Sequence, residues 1–108
     1  MVQEIQVRDL AEQMATGKPV YLLDVRRPWE HETAALLGSV LIPLHELPGR
    51  TAEVRPPEGS LVVVYCHHGI RSLSGAAILE HAGIHPVVSL AGGIDAWSVL
   101  VDPRVPRY

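Results

Sequence analysis

A chain of 108 residues, 47% hydrophobic and 19% charged, has the size and composition of one ordinary globular domain, 1–108, and is neither disordered nor fibrous. Its formal net charge of −3, without any basic run, argues against a nucleic-acid surface. The start, Met1-Val2-Gln3-Glu4-Ile5, lacks the basic and apolar regions of a signal peptide, and the most apolar segment, Ala34 to Leu44, is broken by Gly38, Ser39 and Pro43 and is too short to span a bilayer.

In chain order, Glu4-Ile5-Gln6-Val7 alternates polar and apolar and predicts a short edge strand. Arg8 to Thr16 sets Leu10, Ala11 and Met14 at helical spacing, with Gly17 as the stop. Val20 to Val25 reads as a buried strand. Pro28 suits the first turn of a helix carrying Trp29 to Ala35. Val40-Leu41-Ile42 predicts a third strand closed by Pro43, and His45 to Pro57 a short helix and a turn-rich connection. Leu61-Val62-Val63-Val64-Tyr65 is the continuous apolar run of a central parallel strand covered on both faces. Ser72 to Ala82 predicts a core-facing helix, Val87 to Leu90 a fifth strand, Gly92-Gly93 a tight turn, and Ile94 to Val101 a last helix. The tail, Asp102 to Tyr108 with Pro103 and Pro106, is expected to lie extended over the surface. Strands alternating with helices imply an α/β fold: five strands in a mostly parallel sheet with helices on both faces.

The residues that carry chemistry stand together in Tyr65-Cys66-His67-His68-Gly69-Ile70-Arg71-Ser72, between the most strand-like run and a helix. In an open parallel sheet, ligands bind beyond the carboxyl ends of the strands, where this loop falls. Backbone N–H groups of such a loop and of the following helix start favour an anion. The helix dipole and Arg71 would both stabilise a Cys66 thiolate, and Gly69 permits the backbone angles a curled loop needs. Position and residue types agree on an activated thiolate in an anion cradle. The chain has one cysteine, so an internal disulfide is impossible and a reducing cytoplasm is the expected setting.

Blander readings compete. A cysteine after a buried strand is commonly an inert packed thiol. A metal held by Cys66, His67 and His68 is disfavoured, because three consecutive residues rarely converge on one ion and no second ligand pair has zinc-like spacing. His67 and His68 divide evenly between solvated loop residues and groups that hold an anionic substrate. His31, His45, His81 and His85 are expected at the surface, and Trp29 and Trp97 in core or rim packing.

The loop resembles the active-site loop of the rhodanese sulfurtransferases, in which a cysteine opens a six-residue turn closed by arginine, here Cys66 to Arg71. Leu23-Asp24-Val25-Arg26 followed by Glu30, Gly38 with Ile42-Pro43, and Ala91-Gly92-Gly93-Ile94-Asp95-Ala96-Trp97 are similar to three further motifs of that family, in the same order. One departure stands out: the family's Gly-His-Ile triplet before the second motif is absent, and Ala35-Leu36-Leu37-Gly38 stands there. It touches a local turn rather than the chemistry.

The resemblance implies a rhodanese-like fold and a double displacement. Cys66 would take the outer sulfur of thiosulfate or another sulfane donor, hold it as a persulfide supported by N–H groups of His67, His68, Gly69, Ile70, Arg71 and Ser72, and pass it to cyanide or a thiol. Asp24 and Arg26 would hold strand ends and loops together by buried hydrogen bonds. No cofactor is implied, since the sulfur rides on the cysteine. The expected partners are small-molecule donors and acceptors or a sulfur-relay protein, and a monomer is the default. Two rivals remain: a relay or binding module with little free turnover, and a Cdc25-type phosphatase or arsenate reductase. Against the second, only four residues separate Cys66 from Arg71, a tight loop for a phosphoryl group.

Overall fold

The computed structural model describes residues 1–108. Its elements are β1 (Gln3–Ile5), α1 (Val7–Ala15), β2 (Val20–Asp24), α2 (Pro28–Thr33), β3 (Val40–Leu41), 3₁₀ turns at Leu47–Gly49 and Thr51–Glu53, β4 (Leu61–Tyr65), α3 (Arg71–His81), β5 (Val87–Leu90) and α4 (Gly93–Leu100). The five strands form one sheet in the order β1-β5-β4-β2-β3, and every pairing is parallel. No helix is long and apolar enough to cross a membrane.

Side-chain alternation along the strands divides the core in two. Leu22, Val63 and Val88 join Leu10 of α1 and Ile94 and Trp97 of α4 on one face, whereas Leu23, Val62 and Val64 join Leu47 and the α3 residues Ala76 and Leu79 on the other. The central strand β4 is buried over Val62–Tyr65 because both faces are covered, which is why its sequence is continuously apolar.

The order of the strands fixes where a site can form. The chain leaves β2 for its outer neighbour β3, and leaves β4 for β5 in the opposite direction. Carboxyl ends of adjacent strands whose connections diverge this way leave a crevice between them. Asp24 ends β2 and Tyr65 ends β4, and these two residues are in register. The segments after them, Val25-Arg26 and Cys66-His67, therefore flank the crevice.

Three details differ from the sequence reading. The first strand ends at Ile5, because Val7 is buried as the first residue of α1. Helix α2 stops at Thr33, two residues early, where Ala34 turns extended and gives its carbonyl to Arg26 Nη2 at 2.6 Å. The tail is not simply laid along the surface: Val105 N–H bonds the Asp102 carbonyl at 3.1 Å, and Tyr108 comes back to the end of β2.

Candidate active site

Cys66 follows β4 directly and is 1% exposed. Its Sγ accepts the N–H groups of Gly69 at 3.2 Å and Ser72 at 3.3 Å, and lies 3.5 Å from Ser72 Oγ. Helix α3 has no side-chain cap from its own N-cap residue, Ile70. The sulfur takes that place, meeting a donor that the first turn of a helix would otherwise leave orphaned. The N–H groups of His67, His68, Ile70 and Arg71 make no hydrogen bond inside the protein, so four donors of this short loop are left for an anion.

The loop holds this shape because α4 takes its carbonyls. Ile94 N–H donates to the Cys66 carbonyl at 2.9 Å and Asp95 N–H to that of His67 at 3.1 Å. With the carbonyls committed to one side, the remaining N–H groups are free on the other. Gly93 sits against the same two carbonyls with φ +61°, and a Cβ there would collide with both. Gly69, at φ +95°, comes so close to Gly92 that a Cβ would lie 2.9 Å from the Gly92 nitrogen. The Gly92-Gly93 turn is thus the surface on which the loop is moulded.

Asp24 and Arg26 form the second layer. Both side chains are fully buried; Arg26 Nε and Nη2 donate to Asp24 Oδ1 at 2.8 Å and Oδ2 at 2.7 Å, and Nη1 donates to the Tyr108 hydroxyl at 2.8 Å. His31 Nδ1 lies 2.8 Å from Asp24 Oδ2 with its side chain 29% exposed, so it is a half-buried partner of Asp24 rather than the surface residue expected. His45, His81 and His85 are exposed as expected.

Arg71 reaches Glu30 of α2, donating to Oε1 at 2.7 Å and Oε2 at 2.9 Å. Its charge is therefore opposed by Glu30, while it still acts on the Cys66 sulfur alongside the backbone donors. Glu30 is only 3% exposed. It also caps its own helix by accepting the Arg27 N–H at 3.0 Å, and it accepts the Tyr108 hydroxyl at 2.8 Å. The Arg71 guanidinium, opposed by burial and helped by the Arg27 N–H and the Tyr108 hydroxyl, holds the Glu30 carboxyl at about 2.

Tyr108 closes the arrangement. Its ring stacks on His67 at 4.0 Å between centroids and 8° between planes, His67 stacks on His68 at 3.9 Å, and Trp29 meets Tyr108 edge-on at 5.7 Å. Burial first, opposed by the bond from Arg26 and aided by the bond to Glu30, leaves the Tyr108 phenol pushed up to about 12. Burial first and the neighbouring His68 second pull the His67 imidazole below its ordinary value. Arg107, the residue before Tyr108, pairs with Asp95 of α4 at 2.9 Å.

Of the residues singled out in the sequence, the structure gathers Cys66, Gly69 and Ser72 on the sulfur and puts His67 and His68 in the ring stack. Ile70 stands 74% exposed at the rim, and Arg71 turns away to Glu30. Trp97 is in the core, while Trp29 is 57% exposed beside the stack. Sequence reasoning did not assign roles to Glu30, Ser89 or Tyr108. Glu30 carried a signal, standing three residues after the N-cap Arg27 with Pro28 between, as a capping carboxylate does. Tyr108 carried none.

The Cys66 sulfur thus rests on the N-terminal turn of α3, at the switch point of an all-parallel five-stranded sheet. The family model described as the Rhodanese-like domain matches residues 6–100, and the chain belongs to that family. A sulfurtransferase of Allochromatium vinosum is 36% identical over 98 residues, covering 91% of this chain and 90% of the relative. The probable adenylyltransferase/sulfurtransferase MoeZ of Mycobacterium tuberculosis is 32% identical over 104 residues, which are 96% of this chain but 26% of that longer protein. The crystal structure of a rhodanese-like domain protein from Staphylococcus aureus superposes with a TM-score of 0.82 at 25% identity, over 99% of both chains.

Proposed function

We propose that this protein is a sulfurtransferase that carries a sulfane sulfur on Cys66, from thiosulfate or a persulfide donor to cyanide or a thiol. The observation that supports it most is the sulfur itself: the only cysteine of the chain, on a helix start, with two N–H groups on Sγ and four more unpaired in its loop. In the first half-reaction the Cys66 thiolate attacks the outer sulfur of the donor. The new S–S bond forms as the old one breaks, and with thiosulfate the bonding pair leaves on sulfite. In the second, a thiophilic acceptor attacks the same outer sulfur, and the Cys66 thiolate departs with its electron pair. The N–H groups stabilise negative charge both on Sγ and on the bound donor. No general acid is needed, because sulfite and thiolate both leave as anions. His67 contributes as a ring stacked between Tyr108 and His68, and the unpaired N–H groups do the anion binding.

Phosphoryl transfer fits poorly, since the one arginine of the loop is committed to Glu30 rather than offered to an oxyanion. A relay role is compatible with the same chemistry: Ile70 and Trp29 place apolar surface beside the site, 74% and 57% exposed, as docking to a protein donor or acceptor requires.

The test is the intact mass of the protein after incubation with thiosulfate, for the wild type and Cys66→Ser. The expected result is a gain of one sulfur in the wild type, removed by cyanide and absent from the variant. A wild type with a free thiol that gains no sulfur from thiosulfate or from any persulfide donor would overturn the proposal.

A further inference from the structure

Ser89 stands in the middle of β5 among Val87, Val88 and Leu90, all buried, and is itself 0% exposed. A hydroxyl in that position gives up water and must find a partner. Its partner is Ser72 Oγ at 2.7 Å; Ser72 is also 0% exposed, and its oxygen lies 3.5 Å from Cys66 Sγ. Neither hydroxyl has any other hydrogen bond. The two serines and the cysteine therefore form a chain of three atoms with two links, its two hydroxyls sealed from solvent.

Counting protons along that chain gives its preferred state. With a neutral thiol, three protons share two links, and one donor is left pointing at nothing. With a thiolate, two protons fill two links: Ser89 donates to Ser72, and Ser72 donates to the sulfur. Each hydroxyl polarises the next, so the bond reaching the sulfur is strengthened by the one behind it. We propose that Ser89 is a positioning residue for sulfur transfer: by donating to Ser72 it turns the Ser72 proton onto Cys66, and the pair is balanced only when that sulfur is ionised. This rests on the sulfurtransferase reading for its purpose. The thiolate is the nucleophile of the first half-reaction and the leaving group of the second, so one device serves both.

The charged and titratable groups packed about the loop are His67 and His68, Arg71 of α3, Glu30 and His31 of α2, Asp24 and Arg26 at the end of β2, Tyr65 at the end of β4, Asp95 of α4 and Tyr108 of the tail, while Glu32, Glu80 and His81 stand elsewhere on α2 and α3. None of them bonds either serine hydroxyl, and none is altered by substituting Ser89.

The experiment measures alkylation of Cys66 by iodoacetamide across pH, in wild type, Ser89→Ala, Ser72→Ala and the double variant; it needs no sulfur donor and so is independent of whether the protein transfers sulfur. Ser89→Ala should react about fivefold more slowly near pH 6, the loss of one reinforcing hydrogen bond, and the gap should close at alkaline pH where the thiol ionises regardless. Closure also shows that the variant keeps an accessible, folded site. In the Ser72→Ala background, Ser89→Ala should change nothing further, because Ser89 acts through Ser72. Ser89→Thr, which keeps the hydroxyl, should restore the wild-type profile. An unchanged profile in Ser89→Ala, a deficit that persists at alkaline pH, or the same factor lost in both backgrounds would overturn the proposal. If alkylation behaves as expected but no donor loads sulfur, the sulfurtransferase reading fails and the hydroxyl pair stands.

Discussion

Replacing Glu30 with glutamine keeps the shape of the side chain and removes the charge that holds Arg71, so its cost can be worked from the site. The gap between an ordinary glutamate, near 4.5, and about 2 in this site corresponds to about 3 kcal/mol of folding free energy. The Arg71 side chain is 36% exposed while that of Glu30 is 4% exposed, and solvent screening on the arginine side brings the expected loss in Glu30→Gln to about 2 kcal/mol. For a domain of this size that is a fall in melting temperature of about 10 °C. The carboxyl is depressed in the folded state, so its contribution is complete above the unfolded value and is lost as pH falls from about 4.5 through about 2. The gap between wild type and variant should therefore be constant from pH 7 to pH 5 and shrink to less than about half by pH 3. Thermal and urea unfolding of both proteins, followed by circular dichroism at pH 7, 5, 4 and 3, reads this directly. A gap under about 0.5 kcal/mol at pH 7 would show that the ion pair is screened like a surface pair. A gap as large at pH 3 as at pH 7 would show that the loss does not come from the charge.

Gly93→Ala combines a positive φ with a Cβ driven into the Cys66 and His67 carbonyls, and should destabilise by at least about 3 kcal/mol. In whatever fraction remains folded it should abolish sulfur loading, as unfolding and intact mass together would show; a stable variant that still loads sulfur would mean that α4 does not shape the loop. Tyr108→Ala should raise the His67 ionisation toward its ordinary value by taking away the ring that buries it, whereas Tyr108→Phe, which keeps the stack, should leave it unchanged. Histidine NMR titrations of the two variants check this, and equal shifts in both would assign the effect to the hydroxyl instead of the ring.

The sheet was legible in the sequence because its strands are short apolar runs punctuated by proline and glycine, and β4 in particular admits no other reading. The loop was legible because a cysteine, a glycine and an arginine stand between that strand and a helix. What the sequence could not show is where long side chains end. Arg71 has the reach to enter the loop or to leave it, and the choice rests on Glu30, which lies 41 positions away in the chain. Ser89 looks like an incidental polar residue in a strand until the sheet brings it under α3, 17 positions from Ser72. The tail was expected to be passive because two prolines forbid regular structure there. Proline says nothing about whether the residues beside it find partners, and Tyr108 finds Arg26, Glu30 and His67. The boundary of α2 was misplaced for a related reason: the Ala34 carbonyl is worth more to a buried guanidinium than to one more helical turn.

The bonds from Ile94 and Asp95 to the Cys66 and His67 carbonyls also set an order of events in the life of each molecule. Cys66 leaves the ribosome well before the Gly92–Asp95 turn that shapes its loop has been made. Until that turn docks, nothing holds the two carbonyls aside, and the thiol is an ordinary one on an unfinished chain. Reactivity and completion of the fold therefore arrive together. A nascent or unravelled copy has no arranged donors around its thiol, and the sulfur uptake proposed for Cys66 would be confined to molecules that have passed their own structural inspection.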